Sequence, residues 1–215
     1  MMKLWNRILA FFFPPRCLLC GAPGYVDEDH LCADCAKKRP EKLYRFFALK
    51  VRRSAYTLEC RAPMRYRDPF RRTLQRFKFR DETGMAAPLA IQMKRILDAD
   101  AKFDCIVPVP ISRERMRERG YNQSALLAEA LSKETGIPCR LLLEKTVHNQ
   151  TQHRLSAKER EKNVRGVYRA EDCTGLRILL VDDIVTTGAT VRECSRTLYA
   201  AGAAHIDVVC CALVL

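Results

Sequence analysis

The sequence predicts a three-layer α/β/α domain preceded by a small zinc-binding module. Strand-like apolar segments alternate with helical segments after residue 84, one of those strands is wholly apolar, and two Cys-x-x-Cys pairs lie near the N-terminus. Such alternation is typical of a parallel sheet covered by helices on both faces. A chain of 215 residues has room for one such domain and a small module. We expect the module to span residues 1–50 and the α/β domain residues 51–215.

The paired cysteines are Cys17 with Cys20 and Cys32 with Cys35, and eleven residues separate the pairs. Zn²⁺ in a structural site prefers a closed tetrahedral set of ligands such as four thiolates. The segment between the pairs has too few apolar residues to fold without a metal. We therefore predict one structural Zn²⁺ on these four cysteines, with no open position for a substrate. Because four sulfurs complete the set, His30 is left out. Two chance pairs of buried thiols and a redox pair are the alternatives.

The first 13 residues carry an apolar face formed by Leu4, Ile8, Phe11 and Phe12, which predicts a short docking helix. Weak contact with a membrane surface is the alternative. The apolar run is short, a Pro-Pro pair ends it and no small-residue cleavage site follows, so we do not expect a signal peptide. No apolar run approaches the ~20 residues of a transmembrane helix. We expect a cytoplasmic protein whose 11 cysteines are reduced thiols outside any disulfide framework.

The positive charge is concentrated in the first part of the chain. Residues 1–80 contain 19 Lys and Arg against 7 Asp and Glu, a net charge of +12, whereas residues 81–215 have a net charge of +1. A charge asymmetry of this kind favours a polyanionic partner for the basic part. We expect that partner to be single-stranded DNA.

The most basic stretch covers residues 61–80, with eight Lys and Arg, one Asp and four aromatic residues. If the aromatic side chains are exposed, they can stack on bases while the cations neutralise phosphates. Alternatively, Tyr66, Phe70, Leu74 and Phe77 are spaced by 4, 4 and 3 residues, as in the buried stripe of a helix. We favour the buried stripe, combined with a solvated basic face that contacts nucleic acid.

The α/β domain is built from elements that the apolar pattern and the capping residues delimit. Helices are expected at 84–97, 122–135 and 191–201, and strands at 104–109, 139–143, 178–181 and 206–215. A capping box that begins at Ser156 predicts a further short polar helix. The strand at 178–181 is apolar throughout, which is typical of a parallel sheet that is buried on both faces.

The strand at 178–181 leads into the most informative segment of the chain. Asp182 and Asp183 follow the strand, and after two apolar residues a polar loop opens the next helix. The loop residues are Thr186, Thr187, Gly188, Ala189 and Thr190. Backbone N–H groups at a helix N-terminus can surround a phosphate, and Gly188 allows its close approach. The two carboxylates can accept hydrogen bonds from ribose hydroxyls or meet Mg²⁺ through water. A surface loop with an N-cap threonine is the alternative, but it does not explain adjacent acids after a buried strand.

The string ILLVDDIVTTGAT, at residues 178–190, resembles the PRPP-binding motif of type I phosphoribosyltransferases. Together with the four-cysteine knuckle it is similar to the ComF family, which is associated with DNA uptake in natural transformation. The segments that carry this resemblance are FPPRCLLCG (13–21), LCADC (31–35), FKFR (77–80), VPVPISRERMRERGYNQ (107–123) and QTQHRLSAKEREKNVRGVY (150–168). The resemblance implies a phosphoribosyltransferase-like domain that binds PRPP with Mg²⁺.

The resemblance also assigns roles to two further segments. Arg119 and Gly120, in the segment RERGYNQ, occupy the place of the pyrophosphate loop, although an ordinary charged loop is the alternative. A polar segment beyond residue 150 resembles a hood over the acceptor site, or a solvated cap. The hood residues are Thr151, Gln152, Leu155, Arg160 and Asn163. If the protein is an enzyme, Asp182, Asp183 and Arg119 are the expected catalytic residues, and His148 and His153 are the candidates for a base.

Two functions from different classes follow. In the first, a ComF-type protein of DNA uptake binds single-stranded DNA and a PRPP-like ligand, with a DNA-uptake helicase as a further partner. In the second, a metabolic phosphoribosyltransferase transfers ribose 5-phosphate from PRPP to a nucleobase-like acceptor. The basic N-terminal part and the zinc module favour the first function, because base salvage requires neither. Residues 36–60 have no further cysteine pair, and the shape of that region is left open.

Overall fold

The computed structural model describes residues 14–37, 42–79, 82–146 and 166–215. The docking helix expected within residues 1–13, the helix expected at Ser156 and the hood residues 151–163 lie outside the described residues. None of the described helices is long and apolar enough to cross a membrane.

The described strands form one large sheet and one small sheet. They are β1 (Leu43–Val51), β2 (Ser54–Ala62), β3 (Met64–Arg65), β4 (Cys105–Pro108), β5 (Leu143–Lys145), β6 (Tyr168–Ala170), β7 (Arg177–Val185) and β8 (His205–Leu213). The large sheet has the order β1-β2-β8-β7-β4, and β3 also pairs with β8. Its strands are parallel except for the antiparallel β1–β2 hairpin at one edge. β5 and β6 form the separate antiparallel pair.

Helices cover both faces of the large sheet. They are α1 (Ala33–Ala36), α2 (Phe70–Phe79), α3 (Ala86–Ile96), α4 (Arg113–Arg119), α5 (Gln123–Thr135) and α6 (Ala189–Ala200), and a 3₁₀ turn at Thr83–Met85 precedes α3. The expected three-layer α/β/α architecture is confirmed. The helices expected at 84–97, 122–135 and 191–201 correspond to α3, α5 and α6, and Gly136 ends α5 in a left-handed conformation.

The side chains of β7 alternate between two hydrophobic clusters, one on each face of the sheet. Ile178 and Leu180 pack with α6, while Leu179 and Val181 pack with α2, α3 and α5. All four side chains are fully buried. Each contributes ~1.5–3 kcal/mol of transfer free energy. Burial on both faces explains why this strand has no polar position before Asp182.

Residues 36–60, whose shape was not predicted from the sequence, contain most of the β1–β2 hairpin. The inner face of β1 is apolar except for Arg45 and joins the cluster on the α6 side of the sheet, through Leu43, Phe47, Leu49 and Val51. The alternate positions of β1 are exposed. The boundary expected after residue 50 falls inside β1, whose hairpin is continuous with the sheet of the α/β domain. Cys60 is fully buried in this hairpin and is therefore a core residue.

One expectation for the middle of the chain is wrong, and one helix was not predicted. The strand expected at 139–143 is reduced to one isolated bridge between Cys139 and Ile106, and the chain then leaves the sheet to form β5. Residues 113–119, for which no element was predicted, form α4, because the Ser112 side chain accepts a hydrogen bond from the Arg115 N–H and caps the helix. Gly120, in the left-handed region with φ 75°, ends α4.

Candidate zinc and ribose-phosphate sites

The four sulfurs of Cys17, Cys20, Cys32 and Cys35 lie within 4.8 Å of one another. Four sulfurs bound to one Zn²⁺ at ~2.3 Å are about 3.8 Å apart, and the Cys20 and Cys32 sulfurs are separated by 3.8 Å. The four thiols therefore fit a closed tetrahedral zinc site, as the sequence predicts. His30 contributes no atom to this group; its carbonyl accepts a hydrogen bond from the Leu18 N–H at 2.8 Å.

The first knuckle also favours the thiolate form of one of its cysteines. Burial raises the pKa of Cys17, but the backbone N–H groups of Cys20, Cys32 and Leu19 outweigh it and lower the pKa to about 7. The Cys32 N–H lies 3.4 Å from the Cys17 sulfur. Gly21 has φ 75°, and a Cβ there would lie 3.1 Å from the Arg76 guanidinium, so the turn after Cys20 suits glycine.

The zinc module packs against α2 and α3 rather than forming a separate unit. Cys17, Leu18 and Leu31 belong to the hydrophobic cluster that contains Phe70 and Met93. A polar contact reinforces this packing. The Arg95 guanidinium pairs with the buried Asp29 carboxylate, and the Gln92 amide donates to the Asp29 carbonyl at 2.9 Å. The module is therefore anchored to the helical layer of the α/β domain.

The two adjacent acids stand in different environments. Asp182 is buried, and its Oδ1 accepts hydrogen bonds from the Ser124 hydroxyl at 3.0 Å and from the Asp183 N–H at 2.9 Å. Burial and the neighbouring Asp183 charge raise the pKa of Asp182 to about 7, against the opposite effects of these hydrogen bonds and of Lys78. Asp183 is more accessible, and its Oδ2 pairs with the Lys78 ammonium at 3.1 Å. One acid is thus held inside the fold while the other faces a cation.

The loop from Thr186 to Thr190 leads from the end of β7 into the N-terminus of α6. Gly188 has φ 77° and precedes the first residue of α6. Within the described residues, the backbone N–H groups of Thr186, Thr187 and Gly188 have no hydrogen-bond acceptor. The Ala189 N–H is 3.4 Å from the Thr187 hydroxyl. Free N–H groups at a helix N-terminus are the arrangement that binds phosphate.

Strand β1 covers one side of this loop. A Cβ on Gly188 would lie 2.3 Å from ring atoms of Phe47, so only glycine fits under this ring. The Arg45 guanidinium lies 5.1 Å from the centroid of the Phe47 ring and donates hydrogen bonds to the carbonyls of Thr186 and Val214. The inner face of β1 therefore fixes the position of the loop.

The segment that contains Arg119 approaches the acids from the side of α2. Arg119 donates a hydrogen bond to the Gln123 amide oxygen at 3.1 Å. Burial and the nearby Arg115 charge lower the pKa of Arg119, while the Asp183 charge raises it. The Tyr121 hydroxyl donates to the Phe77 carbonyl at 2.7 Å and so ties this segment to α2. Arg119, Lys78 and Asp183 thus lie in one electrostatically coupled group.

Sequence reasoning missed Lys78 and Ser124, which both contact the acid pair. Ser124 is the second residue of α5, a position where serine is common in any helix, so nothing in the sequence singled it out. The candidates His148 and His153 lie outside the described residues.

The basic stretch at 61–80 divides into buried and exposed residues. Phe70, Leu74 and Phe77 are buried, which confirms the buried stripe and argues against base stacking by these rings. Tyr66 is half-buried. Arg61 does not belong to the solvated basic face, because it lies on β2 and is buried against acidic residues. The exposed cations of the stretch are Arg65, Arg67, Arg71 and Arg72. Arg80 lies outside the described residues.

Comparison with known proteins agrees with the zinc module and with the α/β domain. Residues 8–44 match the double zinc ribbon domain, and residues 121–214 match the phosphoribosyl transferase domain. The chain is 32% identical to competence protein ComFC of Bacillus subtilis, over 87% of this chain and 73% of that protein. It is also 32% identical to the DNA utilization protein YhgH of Escherichia coli K12, over 90% of this chain and 82% of that protein. The chain belongs to the ComF family.

Competence protein F of Haemophilus influenzae is a further relative, 29% identical over 92% of this chain and 96% of that protein. The match to a double zinc ribbon suggests two zinc sites, but this ComF-family chain has ligands for only one. Two zinc sites require eight ligands in all, four for each ion, but residues 8–44 hold only four cysteines and one histidine. The four clustered cysteines therefore support a single structural Zn²⁺.

Solved structures similar to this ComF-family chain include phosphoribosyltransferases. The glutamine PRPP amidotransferase of Bacillus subtilis, solved with ADP and GMP, is 22% identical with a TM-score of 0.45, over 63% of this chain and 30% of that chain. The adenine phosphoribosyltransferase of Leishmania donovani is 15% identical with a TM-score of 0.40, over 86% of this chain and 69% of that chain.

Proposed function

We propose that this ComF-family protein acts in DNA uptake and binds a PRPP-like ligand and single-stranded DNA at two separate places. The observation that carries the ligand proposal is a set of three backbone N–H groups, at Thr186, Thr187 and Gly188, directly after an acid pair. These groups have no acceptor in the described part of the chain. A ribose 5-phosphate compound has matching groups, a phosphate dianion and two adjacent hydroxyls. The site therefore suits a ligand of this class.

Each residue of the candidate site has a proposed role in holding the ligand. The loop N–H groups and the threonine hydroxyls donate to the 5-phosphate, and the N-terminus of α6 adds a partial positive charge. Asp182 and Asp183 accept hydrogen bonds from the ribose hydroxyls. Arg119 and the backbone of Gly120 face the diphosphate of PRPP. Mg²⁺, when bound with PRPP, supplies further neutralisation of the diphosphate charge.

The DNA proposal is supported by the charge distribution and by the relatives. Residues 1–80 have a net charge of +12, and the relatives carry names that refer to competence and DNA utilization. A basic surface neutralises phosphates and releases counterions, so binding weakens steeply with salt. A helicase of DNA uptake remains the proposed protein partner.

A second candidate function is transfer of ribose 5-phosphate from PRPP to a nucleobase-like acceptor. The buried Asp182, held by Ser124, is the observation that favours it, because a fixed acid pair can stabilise positive charge that develops on the ribose. In that function Asp182, Asp183 and Arg119 are the catalytic residues. Release of pyrophosphate from PRPP on addition of a nucleobase would distinguish the enzyme from a protein that only binds the ligand.

The test measures PRPP binding in Mg²⁺ and single-stranded DNA binding separately and then together. The double variant Asp182→Asn with Asp183→Asn keeps the side-chain shapes but removes both charges. Charged hydrogen bonds contribute roughly 1.5–3 kcal/mol each, so PRPP affinity should fall about a hundredfold or more. DNA affinity should remain or rise slightly, because the loss of two negative charges weakens the overall repulsion of the DNA phosphates.

The matched control is Asp100→Asn with Glu129→Gln, which removes two negative charges at exposed positions. This control should leave PRPP affinity unchanged. Normal PRPP binding by the Asp182 and Asp183 variant would reject the ligand proposal. Loss of DNA binding by the same variant while it stays folded would mean that nucleic acid enters the ribose-phosphate cleft, against the two-place proposal.

A further inference from the structure

The outer face of β1 carries two exposed aromatic rings. Tyr44 is 41% exposed and Phe46 is 60% exposed, although large aromatic side chains usually lie in the core. Their ring planes differ by only 6°, and the ring centroids are 6.5 Å apart. The inner positions of the same strand are buried except for Arg45, which is half-buried. The two nearly parallel rings therefore form a small apolar surface at the edge of the sheet.

The orientation of one ring is fixed by a buried arginine. Tyr44 lies opposite Arg61 on β2, and the Arg61 guanidinium is 5.9 Å from the centroid of the Tyr44 ring. Arg61 is itself held by the carboxylates of Glu59 and Asp98. A cation over one face of the ring orients it before any ligand arrives. This preorganisation reduces the entropy lost when a flat ligand stacks on the ring.

Cations continue along the same strand beyond the rings. Lys50 shares the outer face with Phe46, four residues and about 13 Å away. Arg52 and Arg53 are exposed in the turn that follows. Within the described part of the chain, Lys50 and Arg53 make no ion pair. A polyanion that lies along β1 would therefore pass from the aromatic rings to positive charges that no acid neutralises.

We propose that the outer face of β1 is where this chain binds single-stranded DNA, with Tyr44 and Phe46 stacking on bases and Lys50, Arg52 and Arg53 contacting phosphates. The inference rests on the proposed function, because it locates the DNA site that the function requires. The ring separation of 6.5 Å is about twice the ~3.4 Å rise of stacked bases. Neighbouring rings can thus each take one base of an extended strand.

The charges favour nucleic acid over another protein on this edge. An edge strand with exposed aromatics can also pair with a second copy of the chain. In that arrangement the paired strand would offer no acid to Lys50, Arg52 and Arg53, because β1 contains none. A single strand of nucleic acid instead neutralises these cations, and its bases supply flat surfaces for both rings.

The location also separates the two ligands. Arg45 and Phe47 on the inner face of β1 contact the loop at 186–190, while Tyr44 and Phe46 lie on the outer face. One strand thus lies between the proposed ribose-phosphate site and the proposed DNA site. PRPP and DNA should bind at the same time.

The test compares the full-length protein with the variant Tyr44→Ala Phe46→Ala, using fluorescence anisotropy of a labelled oligothymidylate. Stacking losses predict a ~10-fold weaker binding for one ring and ~100-fold for both. The salt dependence of the remaining affinity should not change, because no cation is removed. Tyr25→Ala is the matched control: this ring is 88% exposed in the zinc module, and its loss should leave DNA affinity unchanged.

A second oligonucleotide tests stacking without relying on the fold of a variant. An abasic strand of the same length keeps the phosphates but has no bases, so the wild type should bind it ~100-fold more weakly than oligothymidylate. The double alanine variant should bind both strands equally. Photocrosslinking of bromodeoxyuridine in the wild-type complex should label residues 43–50.

Three results would overturn the inference. The first is that the double variant binds oligothymidylate as tightly as the wild type does, and the second is that crosslinks are confined to residues 61–79. Either result would leave DNA binding intact but place it elsewhere. The third is conversion of a dimer to a monomer by the double variant at unchanged DNA affinity, which would make β1 an interface between copies. Absence of DNA binding by the wild type at low salt would instead reject the DNA part of the proposed function.

Discussion

The N-terminal part of the chain, residues 14–79, and the C-terminal part, residues 82–215, bury their apolar surface in different ways. In the C-terminal part, β7 and β8 are buried on both faces. In the N-terminal part each main element has one buried face: the inner face of β1, the apolar stripe of α2 and one side of the zinc module. The N-terminal part thus depends for its core on the C-terminal part and on a metal.

At the candidate ligand site, the C-terminal part in turn depends on the N-terminal part. The C-terminal part provides the acid pair and the phosphate loop, but Lys78 from α2 pairs with Asp183 and Phe47 from β1 covers Gly188. A ligand site that both parts build should respond to changes in either. Three sets of variants measure how far the two parts depend on each other, and their expected effects decrease from the zinc ligands to the buried acid.

The largest effect should follow removal of the zinc ligands by Cys17→Ser with Cys20→Ser. Structural zinc sites contribute ~10–16 kcal/mol of apparent binding free energy, which the small module cannot replace. Elemental analysis should give about one zinc per wild-type chain and none for the variant. Hydrogen exchange should show unprotected amides in residues 14–37, with protection retained in β7 and β8.

Cys139→Ser is the matched control for zinc binding, because Cys139 is a half-buried thiol outside the cluster. It should retain one zinc per chain. A wild-type module that is folded and free of metal would contradict the prediction. Equal loss of protection in β7 and β8 would instead mean that the C-terminal part depends on the module as strongly as the module depends on it.

A smaller effect should follow from the contact between the two parts at Gly188. Gly188→Ala forces a side chain into the left-handed region, at about 1–2 kcal/mol, and against the Phe47 ring, at about 1–3 kcal/mol. Urea unfolding should therefore show a loss of about 3 kcal/mol. In a Phe47→Ala background the clash is absent, so the same change should cost only about 1 kcal/mol.

The difference between these two costs measures the coupling of β1 to the loop. A coupling of about 2 kcal/mol is expected. Costs that add independently would show that the Phe47 ring does not restrain the loop. Gly175→Ala is a control for the backbone strain alone, because Gly175 has φ 76° but a Cβ there would meet no atom within 4 Å.

The two parts also differ in how well their structure could be predicted from sequence. The strand at 178–181 was predictable because its residues are buried on both faces and therefore all apolar. The paired cysteines predicted the zinc site because metal coordination requires that spacing. In contrast, β1 could not be predicted from the sequence. Its outer face carries Tyr44 and Phe46, so it does not alternate between apolar and polar residues as a half-buried strand does.

At the candidate site, residues adjacent in sequence were predictable and residues brought together by the fold were not. Asp182, Asp183 and the phosphate loop form one continuous segment after a strand. Lys78 and Ser124 reach the acids only because α2 and α5 pack on the same face of the sheet. α4 was missed because its residues are nearly all charged and give no apolar period, whereas the Ser112 cap that starts it is a local feature.

The smallest of the three effects concerns the buried acid of the C-terminal part. The pKa of Asp182 is raised to about 7 from an ordinary value near 3.8, because the carboxylate is buried beside Asp183. Between these two values the folded state holds a proton that the unfolded chain releases. The stabilising contribution is therefore complete below pH ~4, declines as the pH rises and is lost above pH ~7.

Asp182→Asn cannot titrate, so the stability of the wild type relative to this variant should fall by about 2 kcal/mol between pH 5 and 7. Urea unfolding at pH 5, 6, 7 and 8 measures this difference. Asp100→Asn, at an exposed position, should show no such trend. A relative stability that is constant from pH 5 to 8 would mean that Asp182 is already ionised in the fold, with the nearby Lys78 and the Ser124 hydroxyl outweighing burial. The N-terminal part would then control the charge of the acid pair as well as its surroundings.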